Sequence, residues 1–228
     1  MAAPSKSQTF DDWPEKYDRW FATPIGSLVK KVEWELVSDL LKPGPGDSIL
    51  DAGCGTGVFT LPLLACGARV AGLDLSLPMV RQSARKASAF PFRPVLGDIL
   101  RLPFPDESFD KTVSITALEF IPEGEKAIQE FFRVTRRGGC VVVATLNSLS
   151  PWAARRKEEA KKGKSLFQKA IFRSPRELAS LAPVKGEIRT AVHFLKDDPP
   201  DQAARVEEAG RRKGPATGAF LAARWTKA

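Results

Sequence analysis

Apolar and polar residues along this chain follow two alternating rhythms. Short apolar runs bounded by turn residues predict strands at Ile49-Leu50, Val70-Ala71-Gly72-Leu73, Pro94–Ile99 and Lys111–Thr116. Cys140–Leu146 is a continuous, valine-rich run of the kind found in strands buried on both faces. Between them the period lengthens. Leu28, Val29, Val32, Leu36, Val37, Leu40 and Leu41 recur at helical spacing. Ala127, Ile128, Phe131, Phe132 and Val134 mark the apolar side of a helix predicted over Glu123–Arg136, ended by Arg137-Gly138-Gly139. Ser76 is a suitable N-cap for a helix reaching about Ala89, and Ser174-Pro175 starts a short one. Beyond these the pattern predicts a helix opening at Ser150-Pro151-Trp152, a sixth strand over Glu187–Leu195, a helix over Gln202–Arg212 and a last strand over Ala216–Trp225.

The stretch after the first strand carries the chemistry. Asp51-Ala52-Gly53-Cys54-Gly55-Thr56-Gly57 is a glycine-rich turn leading into the apolar run Val58–Ala65. Glycine permits positive φ and close approach of a ligand to the backbone, and the N–H groups opening a helix can receive a polar group. On the glycines alone, a tight turn without any ligand fits equally well. Asp51 changes the balance: a carboxylate there would oppose a pyrophosphate and would suit a ligand with a cationic amino group. Asp74 ends the second strand about 20 residues beyond the glycines, where a carboxylate can accept hydrogen bonds from ribose hydroxyls. NAD is the competing ligand, but its Gly-x-Gly-x-x-Gly fingerprint places the third glycine one residue later.

Asp51-x-Gly53-x-Gly55-x-Gly57 with Asp74 downstream resembles the S-adenosylmethionine site of class I methyltransferases. Within them the chain is similar to the type 11, ubiquinone/menaquinone-biosynthesis-like family, most specifically over residues 47–146. The proline-punctuated loop Leu102–Asp110 adds to the likeness. The resemblance implies an α/β, Rossmann-like, doubly wound seven-stranded sheet, mostly parallel with an antiparallel seventh strand and helices on both faces. It also implies one domain over 1–228: a disordered 1–9, a helical lid over 10–42, the cofactor core at 47–146, a substrate-side insertion at 147–183 and closing strands at 184–228. S-adenosylmethionine would be the methyl donor and S-adenosylhomocysteine the product. Gly53, Cys54, Gly55 and Gly57 would form the loop and Asp51 and Asp74 its acidic partners. Leu75 and Met79 would lie beside the nucleoside, and Asp98 and Ile99 near the adenine. Tyr17, from the aromatic stretch Trp13–Phe21, would belong to the lid. Thr116 and Leu118 would face the reacting end. Met79 also reads as core, and Asp98 also as a turn or capping residue.

Two residues are candidates for a general base. Glu119 follows the fourth strand, where open α/β sheets place their ligands. His193 is the chain's single histidine, although a lone histidine between Val192 and Phe194 also reads as structural. No Asn-Pro-Pro-Tyr-like motif points to amino methylation of adenine.

Composition bounds the rest. The 228 residues, 43% hydrophobic and 27% charged, suffice for one globular domain with a sizeable core. No apolar run reaches the ~20 residues of a membrane span, and Met1–Asp12 lacks the apolar core of a signal peptide. Cys54, Cys66 and Cys140 show no metal spacing and fit free thiols in the cytoplasm. Part of the net charge of +8 gathers between Arg155 and Lys164. That cluster reads as a solvated helix face, or as a guide for an anionic substrate, RNA or a membrane surface. The expected acceptor is a small molecule. Methylation of RNA or protein, and a non-catalytic S-adenosylmethionine-binding module, are the alternatives.

Overall fold

The computed structural model describes residues 10–162 and 166–228. The expected disorder of residues 1–9, and Lys164 at the end of the basic cluster, lie outside them. Seven strands form one sheet: β1 (Ser48–Ala52), β2 (Arg69–Asp74), β3 (Phe92–Leu96), β4 (Phe109–Ile115), β5 (Thr135–Leu146), β6 (Glu187–Ala191) and β7 (Phe220–Thr226). Their order is β3-β2-β1-β4-β5-β7-β6. Strands β1 to β5 pair in parallel, and β7 runs antiparallel between β5 and β6. The strand order reverses between β1 and β4, so a crevice opens at their carboxyl ends.

Period-two alternation divides the core between the two faces of the sheet. In β5, Val142 and Ala144 join one apolar cluster while Val141 and Val143 join the other. The first face is covered by α2 (Pro24–Leu41), α3 (Thr60–Ala65) and α8 (Pro200–Lys213). The second is covered by α5 (Gly124–Val134) and α7 (Pro175–Ser180). The helix α4 (Leu77–Lys86) follows β2. The helix α1 (Pro14–Phe21) precedes α2, and α6 (Pro151–Lys161) follows β5.

Several element ends differ from the sequence pattern, each for a local reason. Helix α5 stops at Val134 because Thr135 already pairs with Phe109 of β4. Strand β3 spans Phe92–Leu96, not Pro94–Ile99, and Asp98 instead accepts the Leu100 N–H in a turn. Strand β7 starts at Phe220 because Asn147 donates to the carbonyls of Ala216 and Gly218 and holds that segment as a loop. Strand β6 ends at Ala191, since Val192 takes a left-handed φ of 59° and turns the chain.

That turn sends His193 toward α8. Its backbone N–H donates to Glu207 Oε2 at 2.7 Å, and its Nδ1 lies 3.2 Å from the same oxygen. Gly210 leaves the ring its space: a Cβ there would sit 2.3 Å from the imidazole. Arg211 links the assembly onward to Glu207 and to Glu35 of α2. Glu207→Ala should therefore cost about 1–3 kcal/mol by leaving buried groups unpaired. Urea unfolding would show this as a lower midpoint.

Candidate functional site

The glycine-rich turn after β1 takes the conformation its sequence predicts. Gly53, Gly55 and Gly57 all have positive φ, at 83°, 52° and 82°. Gly53 also needs its missing side chain, because a Cβ there would lie 2.5 Å from that of Ala117, just beyond β4. The turn thus closes β1 against the end of β4. At Gly55 a Cβ would meet nothing within 4 Å, so this backbone borders open space.

Acidic side chains surround the turn. Asp74 accepts the Gly55 N–H on one oxygen and the Ser76 N–H on the other, both at 2.9 Å. A carboxylate has about four acceptor directions, so it keeps capacity for a ligand. Burial pushes its carboxyl up, against the pull of those backbone bonds. Asp51 is buried and accepts the Thr60 hydroxyl at 2.6 Å. Burial raises it to about 7, and the Asp74 charge adds to the effect. The Cys54 thiol is pushed well up by burial.

The chain's N-terminal segment roofs this turn. Asp18, on α1, accepts Thr56 Oγ1 and Lys86 Nζ, each at 2.6 Å, and Gln82 Nε2 at 3.2 Å. Burial alone would raise Asp18, but these donors outweigh it and hold the carboxyl below its ordinary value. The residue therefore fastens α1 to the glycine turn and to α4. Asp11 accepts the Ser76 hydroxyl, and Phe10 packs edge-on against Phe120 with centroids 4.8 Å apart. Tyr17 points inward, its phenol raised by burial and close to the Thr116 hydroxyl. Thr116 itself has a left-handed φ of 50°.

Beneath this roof lies a cavity of about 470 Å³. Of the residues singled out in the sequence, Tyr17, Asp51, Gly53, Cys54, Gly55, Asp74, Leu75, Met79, Asp98, Ile99, Thr116 and Glu119 all line it. Three do not. Gly57 packs against Ser83, Leu118 is wholly buried in the core, and His193 is committed to Glu207 and α8. The expectation that His193 could act as a base is corrected by that placement.

The far end of the cavity was partly legible in the sequence, which pointed to Glu119 but not to Glu33 or Arg156. Glu119 is 1% exposed; one oxygen accepts the Thr145 hydroxyl at 3.1 Å and the other has no hydrogen-bond partner among the described residues. Burial raises it to about 7. Glu33, on α2, lines the same cavity, is 6% exposed and makes no hydrogen bond or ion pair among the described residues. Burial raises it to about 8, opposed by Arg156 and reinforced by Glu119. Glu33 falls between Val32 and Leu36 on the apolar stripe of its helix, a signal that could have revealed it.

Arg156 was expected within a basic surface cluster. It instead turns inward from α6, with its guanidinium 5.1 Å from the Trp152 ring and 5.0 Å from that of Phe167. Burial lowers its pKa, and its Nη1 is buried without a hydrogen-bond partner. The rest of the cluster is partly neutralised: Arg155 pairs with Glu159 and Asp197, and Lys161 with Glu158. Arg173, also unforeseen, donates to the carbonyls of Leu118 and Ile121 and so shapes the turn that carries Glu119. Among the described residues no group of three or more His, Cys, Asp or Glu is arranged to hold a metal, and no helix is long and apolar enough to cross a membrane.

Comparison with known proteins agrees with this fold. The sequence model of the methyltransferase domain family matches residues 50–143. The chain is 34% identical over 210 residues to a demethylmenaquinone methyltransferase of Beutenbergia cavernae, covering 89% of this chain and 81% of that protein. It is 37% identical over 136 residues to the Renibacterium salmoninarum enzyme of the same name, covering 59% of this chain and 56% of that protein. A malonyl-[acyl-carrier protein] O-methyltransferase of Serratia marcescens is 37% identical over 102 residues, covering 45% and 39%. Among solved structures, an S-adenosylmethionine-dependent methyltransferase of Thermotoga maritima, described as a possible histamine N-methyltransferase, superposes with a TM-score of 0.78 at 25% identity, covering 97% of this chain and 99% of that one. By the breadth of its likeness to the Beutenbergia protein, and by its fold, this chain belongs to the type 11 family of class I S-adenosylmethionine-dependent methyltransferases.

Proposed function

We propose that this protein methylates a small molecule held beneath its N-terminal helix. One observation carries the reading: the glycine turn with Asp74 and the unpaired carboxylates Glu33 and Glu119 open into a single cavity. The first group suits the donor and the second an acceptor. Asp74 would receive the ribose hydroxyls, Asp98 and Ile99 would meet the adenine, and the open space beside Gly55 would admit the donor close to the backbone. S-Adenosylmethionine supplies a methyl group already activated by its positive sulfur. The protein's own part is then to align the two substrates and exclude water. The roof formed by Phe10, Tyr17 and Trp20 serves both ends.

Glu33 and Glu119 are suited to take a proton from the acceptor. A carboxyl poised near 7 or 8 exchanges protons readily at neutral pH, and both face the cavity. The acceptors named for the relatives differ: a demethylmenaquinone, a malonyl-acyl-carrier protein and, for the Thermotoga protein, possibly histamine. They share no attacking atom, so the cavity is the better guide to the acceptor. Its volume favours a small molecule, and the inward turn of Arg156 removes one charge from the surface that RNA or a membrane would meet.

Incubation with radiolabelled donor and cell extract tests the reading. Label should enter the small-molecule fraction. Label in RNA or protein, or donor binding without transfer to any fraction, would contradict it. Asp74→Ala should weaken S-adenosylhomocysteine binding by about 1–3 kcal/mol in calorimetry. The buried acids also set a pH dependence. Asp51, Glu33 and Glu119 have folded values raised to about 7, 8 and 7, so the folded chain binds more protons than the unfolded one between their ordinary values and these. Their stabilisation is complete below the unfolded values and is lost as pH rises through about 8. The ligand-free protein should therefore melt at lower temperature at pH 8 than at pH 5. Glu33→Gln should shrink that melting difference, by removing on the order of a few kcal/mol of the stability lost between the two pH values.

A further inference from the structure

The inner end of the cavity carries a charge pattern that specifies more than size. Its cavity-facing ionisable groups are Glu33 from α2, Glu119 from the turn after β4, Arg156 from α6 and the Tyr17 phenol from α1. Arg173 lies behind Glu119 and is engaged with the carbonyls of Leu118, Ile121 and Ile171. Of the cations nearer the mouth, Arg155 pairs with Glu159 and Asp197, and Lys16 lies over the Trp13 ring. Lys196 also lines the cavity and acts electrostatically on Glu159. Two carboxylates and one guanidinium face the cavity, and the Arg173 charge acts on Glu119 from behind. Among the described residues neither carboxylate forms an ion pair; one Glu119 oxygen is buried without a hydrogen-bond partner, and Glu33, which lines the cavity, makes no hydrogen bond.

Unpaired buried carboxylates are costly unless a ligand supplies the missing partner. The walls around them are aromatic: Tyr17, Trp20, Phe21, Phe120, Trp152 and Phe167. The Arg156 guanidinium already stacks between two of these rings, which shows that this wall accommodates a cation over aromatic faces. A neutral acceptor would offer the two acids no ionic partner and leave them largely protonated at neutral pH. An anionic one would gain Arg156 but face both acids at short range.

We propose that the methyl acceptor is an amine on a compact aromatic body, bound as its ammonium ion by Glu33 and Glu119. This deepens the proposed function and rests on it. The step balances simply. The Glu33 carboxylate takes one proton from the ammonium, freeing the nitrogen lone pair. That lone pair forms the N–C bond to the donor methyl while the C–S bond breaks and its electron pair stays on sulfur. The products are an N-methylammonium ion, S-adenosylhomocysteine and a protonated Glu33, which returns its proton to water after release.

The test is calorimetry on protein saturated with S-adenosylhomocysteine, whose own binding is measured first and reports separately on the donor site. The probes are phenethylamine and tryptamine, each against its alcohol (phenethyl alcohol, tryptophol) and its acid (phenylpropionate, indolepropionate). At least one amine should bind about tenfold or more tightly than its alcohol, the acids should bind most weakly, and amine affinity should rise from pH 6 to pH 8 as the two acids ionise. Glu33→Gln should lower amine affinity about tenfold while leaving S-adenosylhomocysteine affinity unchanged. Glu158→Gln, at an exposed surface pair, should change neither. Alcohols or acids binding as tightly as the amines, no amine binding, or amine binding indifferent to Glu33→Gln would each overturn the proposal. If Glu33→Gln instead weakened S-adenosylmethionine but not S-adenosylhomocysteine, the carboxylate would belong to the donor's sulfonium and the amine assignment would fail.

Discussion

The cavity depends on one carboxylate. Asp18 receives hydrogen bonds from Thr56 in the glycine turn and from Gln82 and Lys86 in α4, and so ties a helix of eight residues across the mouth of the sheet. A helix of that length has little stability of its own. An aromatic contact also attaches it: Phe21, which meets Tyr17 of the same helix edge-on, lies 6.0 Å from Phe59 of the segment after the turn. The polar node fixes where the helix sits, and the rings fill the space beneath it. Without Asp18 the roof would keep the Asp11–Ser76 hydrogen bond and the Tyr17 phenol beside Thr116, but α1 would lose its ties to the glycine turn and to α4. The depth of the cavity, the burial of Glu33 and Glu119, and the raised values of both acids all follow from that roof being in place.

The sheet makes a complementary contribution. Parallel pairing of β1 with β2 and β4 brings the ends of those three strands side by side. That is why Asp51, Asp74 and Thr116, far apart in sequence, border one space. The close approach of Gly53 to Ala117 keeps the floor continuous from the glycine turn to Glu119. Arg173 completes it from below by holding the carbonyls of residues 118 and 121. The site is therefore built from backbone turns at strand ends, with its charged side chains supplied by helices that arrive from other parts of the chain.

This division explains what the sequence disclosed. The glycine turn, Asp51 and Asp74 were legible because their chemistry is local: glycine spacing and a strand-ending acid are visible within 25 residues or so. The strand series was legible because β5 from Cys140 onward alternates its side chains between two covered faces and so is almost wholly apolar there. Arg156 was not legible. In Arg155-Arg156-Lys157 it reads as one more surface charge, and only the packing of α6 against Trp152 and Phe167 turns it inward. Asp18 was equally ambiguous, since its partners lie 38 to 68 residues away. His193 read both ways. A lone histidine suggests chemistry, but the left-handed turn at Val192 delivers it to Glu207 instead of to the cavity.

The central claim is that roof and floor form one binding site. Hydrogen–deuterium exchange with and without S-adenosylhomocysteine tests it most directly. The account predicts that the ligand slows exchange together in residues 10–21, 53–57 and 116–121. Protection of the glycine turn with unchanged exchange in 10–21 would contradict it, because the N-terminal helix would then cover nothing that binds.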